Sequence, residues 1–552
     1  MSNLSKERRD KMIAALDDLK KGVSEEQQKI ILGIKNELVN KKYGLVWEEH
    51  QEKVDLELER KIPVFKEDAN KKIISDKKNS YNFLLEGDNL HSLYLLEKTH
   101  KAKIDIIYID PPYNTKNKEF IYNDEMIGED DEFRHSKWLS FISKRLTVSR
   151  SLLCDSGVIF ISIDNNEYAQ LKMLCDEIFG EKNFITSISR LAIKGGSRAN
   201  NIKTVNDYVL VYSKNVEKLT EFTGVEKDAL VFNEMDENGP YIKGRELNKW
   251  GAGSRREDSP SMYYPIMSPS GEEVYPIRND GSEGRWRWGK KKMMEAIKEN
   301  NVIFEKRDNG TYIVYEKVRS RKTNTKQFTS WFDDNYINAK GSQALKKVFN
   351  TMMSVFDYAK PIELVKDLVF MANNKEAVVL DFFAGSGTTA HAVLDLNRED
   401  GGNRKFILCT NNENKICEEI TYPRIKTVIT GYRGDNSVYD EPICANLKYY
   451  KTEWIDRESQ YLEDELTMRI FEMIELENHI EIDNEKYVVI MSEGDAQRYL
   501  EDTKTPEKIK KVWYREDVLF TSNQLKNLKN VDTKAIPRNY FDVELKEGGY
   551  YD

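Results

Sequence analysis

Asp110, the two prolines that follow it and Tyr113 are the residues of this chain best suited to chemistry. The stretch from Lys103 to Tyr113 reads Lys-Ile-Asp-Ile-Ile-Tyr-Ile-Asp-Pro-Pro-Tyr. Ile104, Ile106, Ile107 and Ile109 predict a short buried strand. Pro111 and Pro112 end it, because neither can donate to a ladder and the first restricts the residue before it. Left at the strand's carboxyl edge are the Asp110 carboxylate, two backbone carbonyls and the Tyr113 ring. Ligands of open α/β sheets sit beyond the carboxyl ends of strands. These groups suit a planar molecule that carries an amine: the carboxylate and a proline carbonyl accept from the amine, and Tyr113 stacks on its face. A turn whose Asp caps a helix and whose Tyr covers core accounts for the same residues.

A second strand end, far downstream, points the same way. Ala377–Asp381 reads as a strand and Ala390–Asn397 as a helix, with Phe382-Phe383-Ala384-Gly385-Ser386-Gly387-Thr388-Thr389 between them. Gly385 and Gly387 allow a tight turn and a close backbone approach to a ligand, and Asp381 stands at the strand end. The turn lacks the Gly-Lys-Ser/Thr ending of a phosphate loop and does not match the three-glycine dinucleotide fingerprint. Taken alone, it could be a tight strand–helix connection and nothing more.

The elements that must position these two turns alternate between short strands and helices. Strands are expected at Tyr81–Leu85, Ile104–Ile109, Gly157–Ile163, Asp207–Ser213, Ala377–Asp381 and Lys405–Cys409. Helices are expected at Leu90–Glu97, Glu132–Leu153, Glu167–Phe179 and Ile362–Met371. This is the signature of a mostly parallel sheet with helices on both faces. Residues 1–75 read as a helical lobe, with helices near Lys6–Lys20 and Ser24–Leu38, and the aromatics of Tyr43–Glu48 dock it on the core. Core segments follow at 76–215 and 350–435. Residues 436–552 form a C-terminal interaction domain, with strands near Ala445–Ile455 and Lys486–Met491 and a helix at Glu458–Leu476.

The alternation disappears over 216–349, where Gly, Pro, Arg, Trp and Tyr cluster. The chain as a whole carries a net charge of −9, yet Tyr241–Lys326 holds 19 Lys and Arg against 12 Asp and Glu. A basic insertion interleaved with aromatics suits contact with phosphates and bases. A solvated surface over a few buried tryptophans would have the same composition. Lys249, Arg255, Arg256, Arg285, Arg287, Lys290 and Lys291 are the candidate contacts there, joined by Lys194 and Arg198 just upstream. Apolar residues make up 39% of the 552, enough for substantial cores. No apolar run is long enough to span a bilayer and the start has no signal-peptide pattern, so a cytoplasmic protein that does not engage a membrane is expected. The five cysteines are odd in number and lack metal-ligand spacing, which suits reduced thiols and no bound metal.

Together the two turns resemble those of the S-adenosylmethionine-dependent amino-methyltransferases of DNA. The catalytic turn precedes the glycine turn, with the insertion between them, as in the β-class order. The resemblance is closest to the modification subunits of type III restriction-modification systems, on Tyr43–Glu48 (Tyr-Gly-Leu-Val-Trp-Glu), Gly87–Leu90 (Gly-Asp-Asn-Leu) and Asp110–Thr115 (Asp-Pro-Pro-Tyr-Asn-Thr). It implies a Rossmann-like α/β core with an inserted target-recognition domain, a helical N-terminal addition and an α+β C-terminal one. It also implies S-adenosyl-L-methionine as cofactor, double-stranded DNA as substrate, a homodimer, and a restriction partner with helicase and nuclease activities. On that pattern Asp110 and the Pro111 carbonyl accept from the target amine, Pro112 shapes the turn, and Tyr113 stacks on the flipped base. Phe383, Ala384, Gly385, Ser386, Gly387 and Thr388 line the cofactor's methionine and ribose side, and Asp381 stands near its amino acid end. Asp88 and Asn89 lie by its adenine, and Phe356, Lys360 and Pro361 close its methionine pocket. Glu413 holds the ribose hydroxyls, with Asn412 as the alternative.

The activity expected is N6 methylation of adenine in DNA. Cytosine N4 or RNA as the target, and a specificity subunit that has lost catalysis, are the other readings. An Asp before Pro-Pro-Tyr favours adenine on the family's pattern. The sequence shows no Walker-type loop and no Pro-Asp-x-Asp/Glu-x-Lys nuclease pattern, so this chain alone should modify and not cleave.

Overall fold

The computed structural model describes residues 4–21, 23–40, 47–115, 121–122, 125–126, 133–195, 202–226, 233–319, 325–501, 508–537 and 540–547. The chain divides into two compact units. The first is Met1–Thr223 with Thr329–Asp552, and the second is Gly224–Phe328.

The first unit is built on one ten-stranded sheet. In chain order its strands are β1 (Lys61–Glu67), β2 (Tyr81–Glu86), β3 (Ile104–Ile109), β4 (Leu153–Ile163), β5 (Phe184–Leu191), β6 (Asn206–Ser213), β7 (Trp331–Phe332), β8 (Val378–Asp381), β9 (Lys405–Thr410) and β10 (Asn446–Asp456). In space they run β1-β10-β2-β9-β8-β3-β4-β6-β5-β7. The six from β10 to β4 are mutually parallel. Strands β1 and β6 run against them. The parallel strands are near-continuous apolar runs because both faces are covered. Ile107 and Ile109 join Leu93, Leu96, Trp138, Ile142 and Leu146 in one apolar cluster. Those partners come from helices α1 (Asn89–His100) and α2 (Arg134–Leu152). By strand alternation Ile106 and Tyr108, which are also buried, point to the other face.

The order of the strands makes a crevice. From β3 the chain crosses through α2 to β4 on one side. From β8 it crosses through helix α3 (Thr388–Asp400) to β9 on the other. Strands β3 and β8 are neighbours, with Val379 opposite Ile106 and Leu380 opposite Ile107. This is the topological switch point, and the two motif-bearing turns stand side by side at its carboxyl edge.

Three assignments change. Residues 1–75 are not wholly helical: helices at Leu4–Leu19, Glu25–Asn40 and Lys53–Arg60 are followed by β1, a strand of the main sheet. Pro63 obscures it, but β1 is an edge strand, where a missing N–H is tolerated. Residues 436–552 are not all an appended domain, because β10 lies inside the sheet between β1 and β2. The strand itself stands where the sequence places it, but the buried Lys448, whose charge Glu475 (2.7 Å) and Glu67 (3.0 Å) compensate, conceals that it is a central strand of the main sheet. The helix expected at Glu458–Leu476 is two, Leu462–Thr467 and Ile470–Asn478, divided where the Arg469 N–H tightens onto the Leu466 carbonyl. Residues 43–46 of the docking stretch lie outside the described residues, while Trp47 packs against the main core.

The second unit has its own four-stranded antiparallel sheet, of Glu234–Asp236, Gly239–Glu246, Tyr312–Val318 and Val302–Lys306. Its core gathers Leu247, Tyr264, Trp286, Trp288, Met293 and Val314. Trp286 is fully buried, and its indole N–H donates to the Tyr264 carbonyl. These tryptophans are core. The unit is shorter than the composition-based interval, because β7 and helix Asn338–Phe349 belong to the first unit. Among the described residues no helix is long and apolar enough to cross a membrane.

Candidate active site

Asp110 leaves β3 into a turn that is fixed from below. The indole N–H of Trp138, fully buried on α2, donates to the Pro112 carbonyl at 2.7 Å. Asn114 is buried with φ of 55°, a left-handed conformation that asparagine tolerates. Its amide donates to Glu167 Oε1 at 2.5 Å, and His135 Nδ1 meets the same oxygen at 2.5 Å. Burial pushes the Glu167 carboxyl up to about 8. With one carbonyl taken by Trp138, the Pro111 carbonyl is the acceptor left beside Asp110. Burial, then the charge of Asp110, pushes the Tyr113 phenol well above its usual range.

Asp110 has two unlike oxygens. Oδ2 accepts from the Lys360 ammonium at 2.7 Å. Oδ1 is buried and has no hydrogen-bond partner among the described residues. Lys360 is buried too, and its Nζ lies 4.8 Å from the centre of the Tyr113 ring.

The glycine turn stands on the neighbouring strand. Gly385 (φ 48°) and Gly387 (φ 76°) take left-handed conformations. A side chain on Gly385 would start 3.6 Å from the Phe356 ring, so the space the turn leaves open depends on its absence. Asp381 is buried beneath the turn and accepts from the Phe383 N–H (3.0 Å) and the Thr389 hydroxyl (2.5 Å). Burial is the chief cause that carries its carboxyl up to about 7, and the nearby Asp110 pushes the same way. Behind the turn the buried guanidinium of Arg424 donates to the Ser386 carbonyl and hydroxyl and to the Thr388 hydroxyl.

Two large cavities meet at this edge. The first, of about 560 Å³, is lined by Asp88, Asn89, Phe383, Gly385 and Glu413 among others. The second, of about 610 Å³, is lined by Pro111, Tyr113, Asp164, Asp207, Tyr358 and Lys360 among others. Asp110, Pro112 and Phe356 line both. A smaller recess of about 80 Å³ adds Asp381, Ala384, Ser386 and Thr388 to Asp110, Phe356 and Gly385.

The structure thus brings most of the expected residues together. The Lys360 ammonium is on Asp110, and the residue lines the second cavity and the small recess by the glycine turn, but not the first cavity. Gly387 and Pro361 line none of these cavities. Gly387 faces Thr421, and Pro361 precedes helix Ile362–Met371. Between the two ribose candidates, Glu413 lines the first cavity, whereas Asn412 accepts from the Glu418 N–H. Asn89 is spent on structure, donating to the Phe382 carbonyl and accepting from Arg145. Arg145 is fully buried and holds Glu52 at 2.9 Å, and Asp88 caps α1 through the Leu90 N–H.

Trp138, Arg145, Glu167 and Arg424 escape sequence reasoning. Each lies on a helix or loop without a motif, and only the tertiary fold brings it to the turns. Of the basic candidates, Arg198 lies outside the described residues, and Lys194, exposed in the first unit, pairs with Asp334. In the second unit Arg255, Arg256, Arg287, Lys290 and Lys291 are exposed and Lys249 and Arg285 half-buried. Arg256 pairs with Glu283 at 2.7 Å, and Lys290 and Lys291 open helix Lys290–Lys298.

A family model for DNA methylases of the N6/N4 type matches residues 104–422, from the first residue of β3 past the glycine turn. The Mod subunit of the type III restriction-modification enzyme StyLTI of Salmonella typhimurium is 34% identical over 429 residues, covering 71% of this chain and 63% of that protein. The type II methyltransferase M.KpnI of Klebsiella pneumoniae is 36% identical over 385 residues, covering 67% and 88%. The EcoPI Mod subunit of Escherichia phage P1 is 33% identical over 450 residues, covering 71% and 68%.

Proposed function

The chain belongs to the N6/N4 DNA methylase family, and we propose that it methylates the N6 amine of an adenine flipped out of double-stranded DNA, as the modification and recognition subunit of a type III system. The observation that carries this is Asp110 at the junction of the two cavities, with Oδ1 a buried acceptor that has no partner among the described residues.

The first cavity fits S-adenosylmethionine. Gly385 leaves room beside Phe356, and Glu413 and Asp88, which line the cavity, would hold the ribose hydroxyls and the adenine end. When bound, the cofactor supplies a methyl group already activated by its sulfonium. Everything else falls to the protein. The exocyclic amine of a purine is a poor nucleophile because its lone pair is delocalised into the ring. Asp110 and the Pro111 carbonyl, accepting its two hydrogens, favour a more pyramidal nitrogen whose lone pair can attack in line. Holding that geometry supplies most of the acceleration.

A paired base cannot reach Asp110, so it is flipped into the second cavity. Stacking on Tyr113, worth about 1–3 kcal/mol per base, offsets part of the cost of unstacking. The exposed cations of the second unit serve as phosphate contacts, which set affinity and its salt dependence. Lys290 and Lys291 stand in the first turn of a helix, where positive charge works against the helix dipole. That local cost is understandable if they meet phosphate. A homodimer, a helicase-nuclease partner and a cytoplasmic setting complete the proposal.

The test is transfer of tritium from labelled S-adenosylmethionine into DNA that lacks adenine methylation. Asp110→Ala should lose at least a hundredfold in rate while still binding the cofactor; activity retained in that variant would remove Asp110 from its role. Mass analysis of the digested nucleosides separates N6-methyladenine from N4-methylcytosine, the second reading the family allows. Methylation-aware sequencing of cells expressing the chain returns the recognition site.

A further inference from the structure

The side chain of Lys360 already does at this site what the target base has to do. Its ammonium donates to Asp110 Oδ2 at 2.7 Å and lies 4.8 Å from the centre of the Tyr113 ring. An amine of a base stacked on Tyr113 would donate to the same carboxylate across the same ring. We propose that Lys360 is an internal stand-in for the target amine, one that occupies Asp110 over Tyr113 in the free enzyme and swings aside as the base enters. It acts on the reaction through Asp110 and is therefore a positioning residue. The inference rests on the second cavity being the base pocket.

Steric exclusion carries the argument. Tyr113 packs against the main apolar core, so its open side is the one the ammonium covers. A stacked base lies at van der Waals contact, about 3.5–4 Å above the ring. The ammonium, over the ring and 4.8 Å from its centre, stands in the way of that layer, so a base stacking there has to displace it. The charge argument runs the same way. Asp110 is three-quarters buried, and an unpaired carboxylate in that setting is costly. Lys360 supplies the pairing until a base amine takes over.

The movement is confined to the side chain. The Lys360 carbonyl accepts from the Thr388 hydroxyl at 3.4 Å. Opposite, Gly341 lies so close that a Cβ there would come within 2.0 Å of the Ala359 carbonyl oxygen and 2.7 Å of that of Lys360. With its backbone held on both sides, Lys360 can only turn about its flexible stem. Asp164 and Asp357 line the same cavity and offer the ammonium other acceptors.

The experiment measures binding without cofactor. A duplex carrying the recognised site is compared with the same duplex abasic at the target position, for the wild type and for Lys360→Gln, Lys360→Met and Lys360→Arg. Only the adenine duplex has to displace the ammonium. Both neutral variants should therefore shift the affinity ratio about tenfold toward adenine, about 1.4 kcal/mol. With 2-aminopurine at the target position they should also show a larger fluorescence change. Lys360→Arg, which keeps charge and donor, should hold the wild-type ratio. An unchanged ratio in both neutral variants, or a shift toward the abasic duplex, overturns the proposal, the latter meaning that Lys360 grips the base. Two neutral variants of different shape, each checked by thermal melting, guard against one that fails to fold. Label transfer by the wild type to the same duplex is measured in parallel. Its absence defeats the methyltransferase reading itself; its presence with unmoved ratios defeats only the role of Lys360.

Discussion

Asp381 gives the sharpest prediction, because its environment sets both the sign and the size of the effect. Its carboxyl is buried under the glycine turn and carried up to about 7, from an ordinary value near 3.8. The two hydrogen bonds from Phe383 and Thr389 offset the burial only in part. The rise from near 3.8 to about 7 corresponds to about 4 kcal/mol. The folded-state value is raised, so this stability is complete below about pH 4 and is lost as pH rises through about 7. If the cofactor's ammonium lies near Asp381, as proposed, it favours the ionised form and binding expels a proton. About 0.9 proton should leave at pH 6 and about 0.1 at pH 8. Affinity should accordingly rise almost tenfold from pH 5 to pH 6 and flatten above pH 8. Titration calorimetry in two buffers of different ionisation enthalpy reads the proton count directly. Asp381→Asn, which resembles the protonated acid, should bind more weakly above pH 7 with no proton exchange and little pH dependence. Proton release at pH 6 that is absent in the wild type, or undiminished in Asp381→Asn, would refute the reasoning.

Two further outcomes concern the support beneath the catalytic turn. Trp138→Phe leaves the Pro112 carbonyl without its donor, which should cost about 1–3 kcal/mol in urea unfolding. It should also lower the single-turnover rate while cofactor affinity holds; an unchanged rate would show that the turn keeps its shape unaided. Glu167, at about 8 when folded, contributes stability that is present below about pH 4.5 and lost as pH rises through 8. Glu167→Gln should therefore flatten the dependence of stability on pH between 6 and 9, and a parallel decline in both proteins would remove Glu167 as its cause.

What the sequence reveals of this fold follows from how each element is built. Strands β3, β8 and β9 are legible because burial on both faces makes them near-continuous apolar runs, and the turns after β3 and β8 because proline and glycine leave the backbone few choices. Strand β1 is hidden by Pro63, whose meaning depends on the strand being at an edge. Strand β10 is legible as a strand, but its place inside the main sheet is hidden by Lys448, whose burial depends on Glu475 and Glu67 from elsewhere in the chain. The same distinction divides the site. Asp110, Tyr113, Gly385 and Gly387 carry local signatures; Trp138 and Arg424 serve through contacts with distant turns that their own helices cannot announce. Lys360 is the instructive case. A motif identifies it as a site residue, but only the folded chain shows that its charge is set against Asp110.

Two carboxylates at adjacent strand ends invite the question why only one is placed to meet a base. The register answers it. Leu380 pairs with Ile107, so Asp381 is level with Tyr108, and Asp110 projects two residues further along the same edge. Asp381 is thereby kept under the glycine turn, where its carboxyl is held by backbone and hydroxyl donors. Asp110 clears the edge into the space both cavities share. The roles are divided by depth, and depth is fixed by the ladder between β3 and β8, not by the chain that joins them. Both ends of that connection are also tied into the first unit: the Thr223 N–H donates to the Met371 carbonyl, and Trp331 pairs with Ser189 in the sheet. A unit inserted between these anchors can therefore change its sequence without shifting Asp110 relative to Asp381. Interrupting the fold between the Asp110 turn and the glycine turn lets the inserted unit vary while the two carboxylates stay in register.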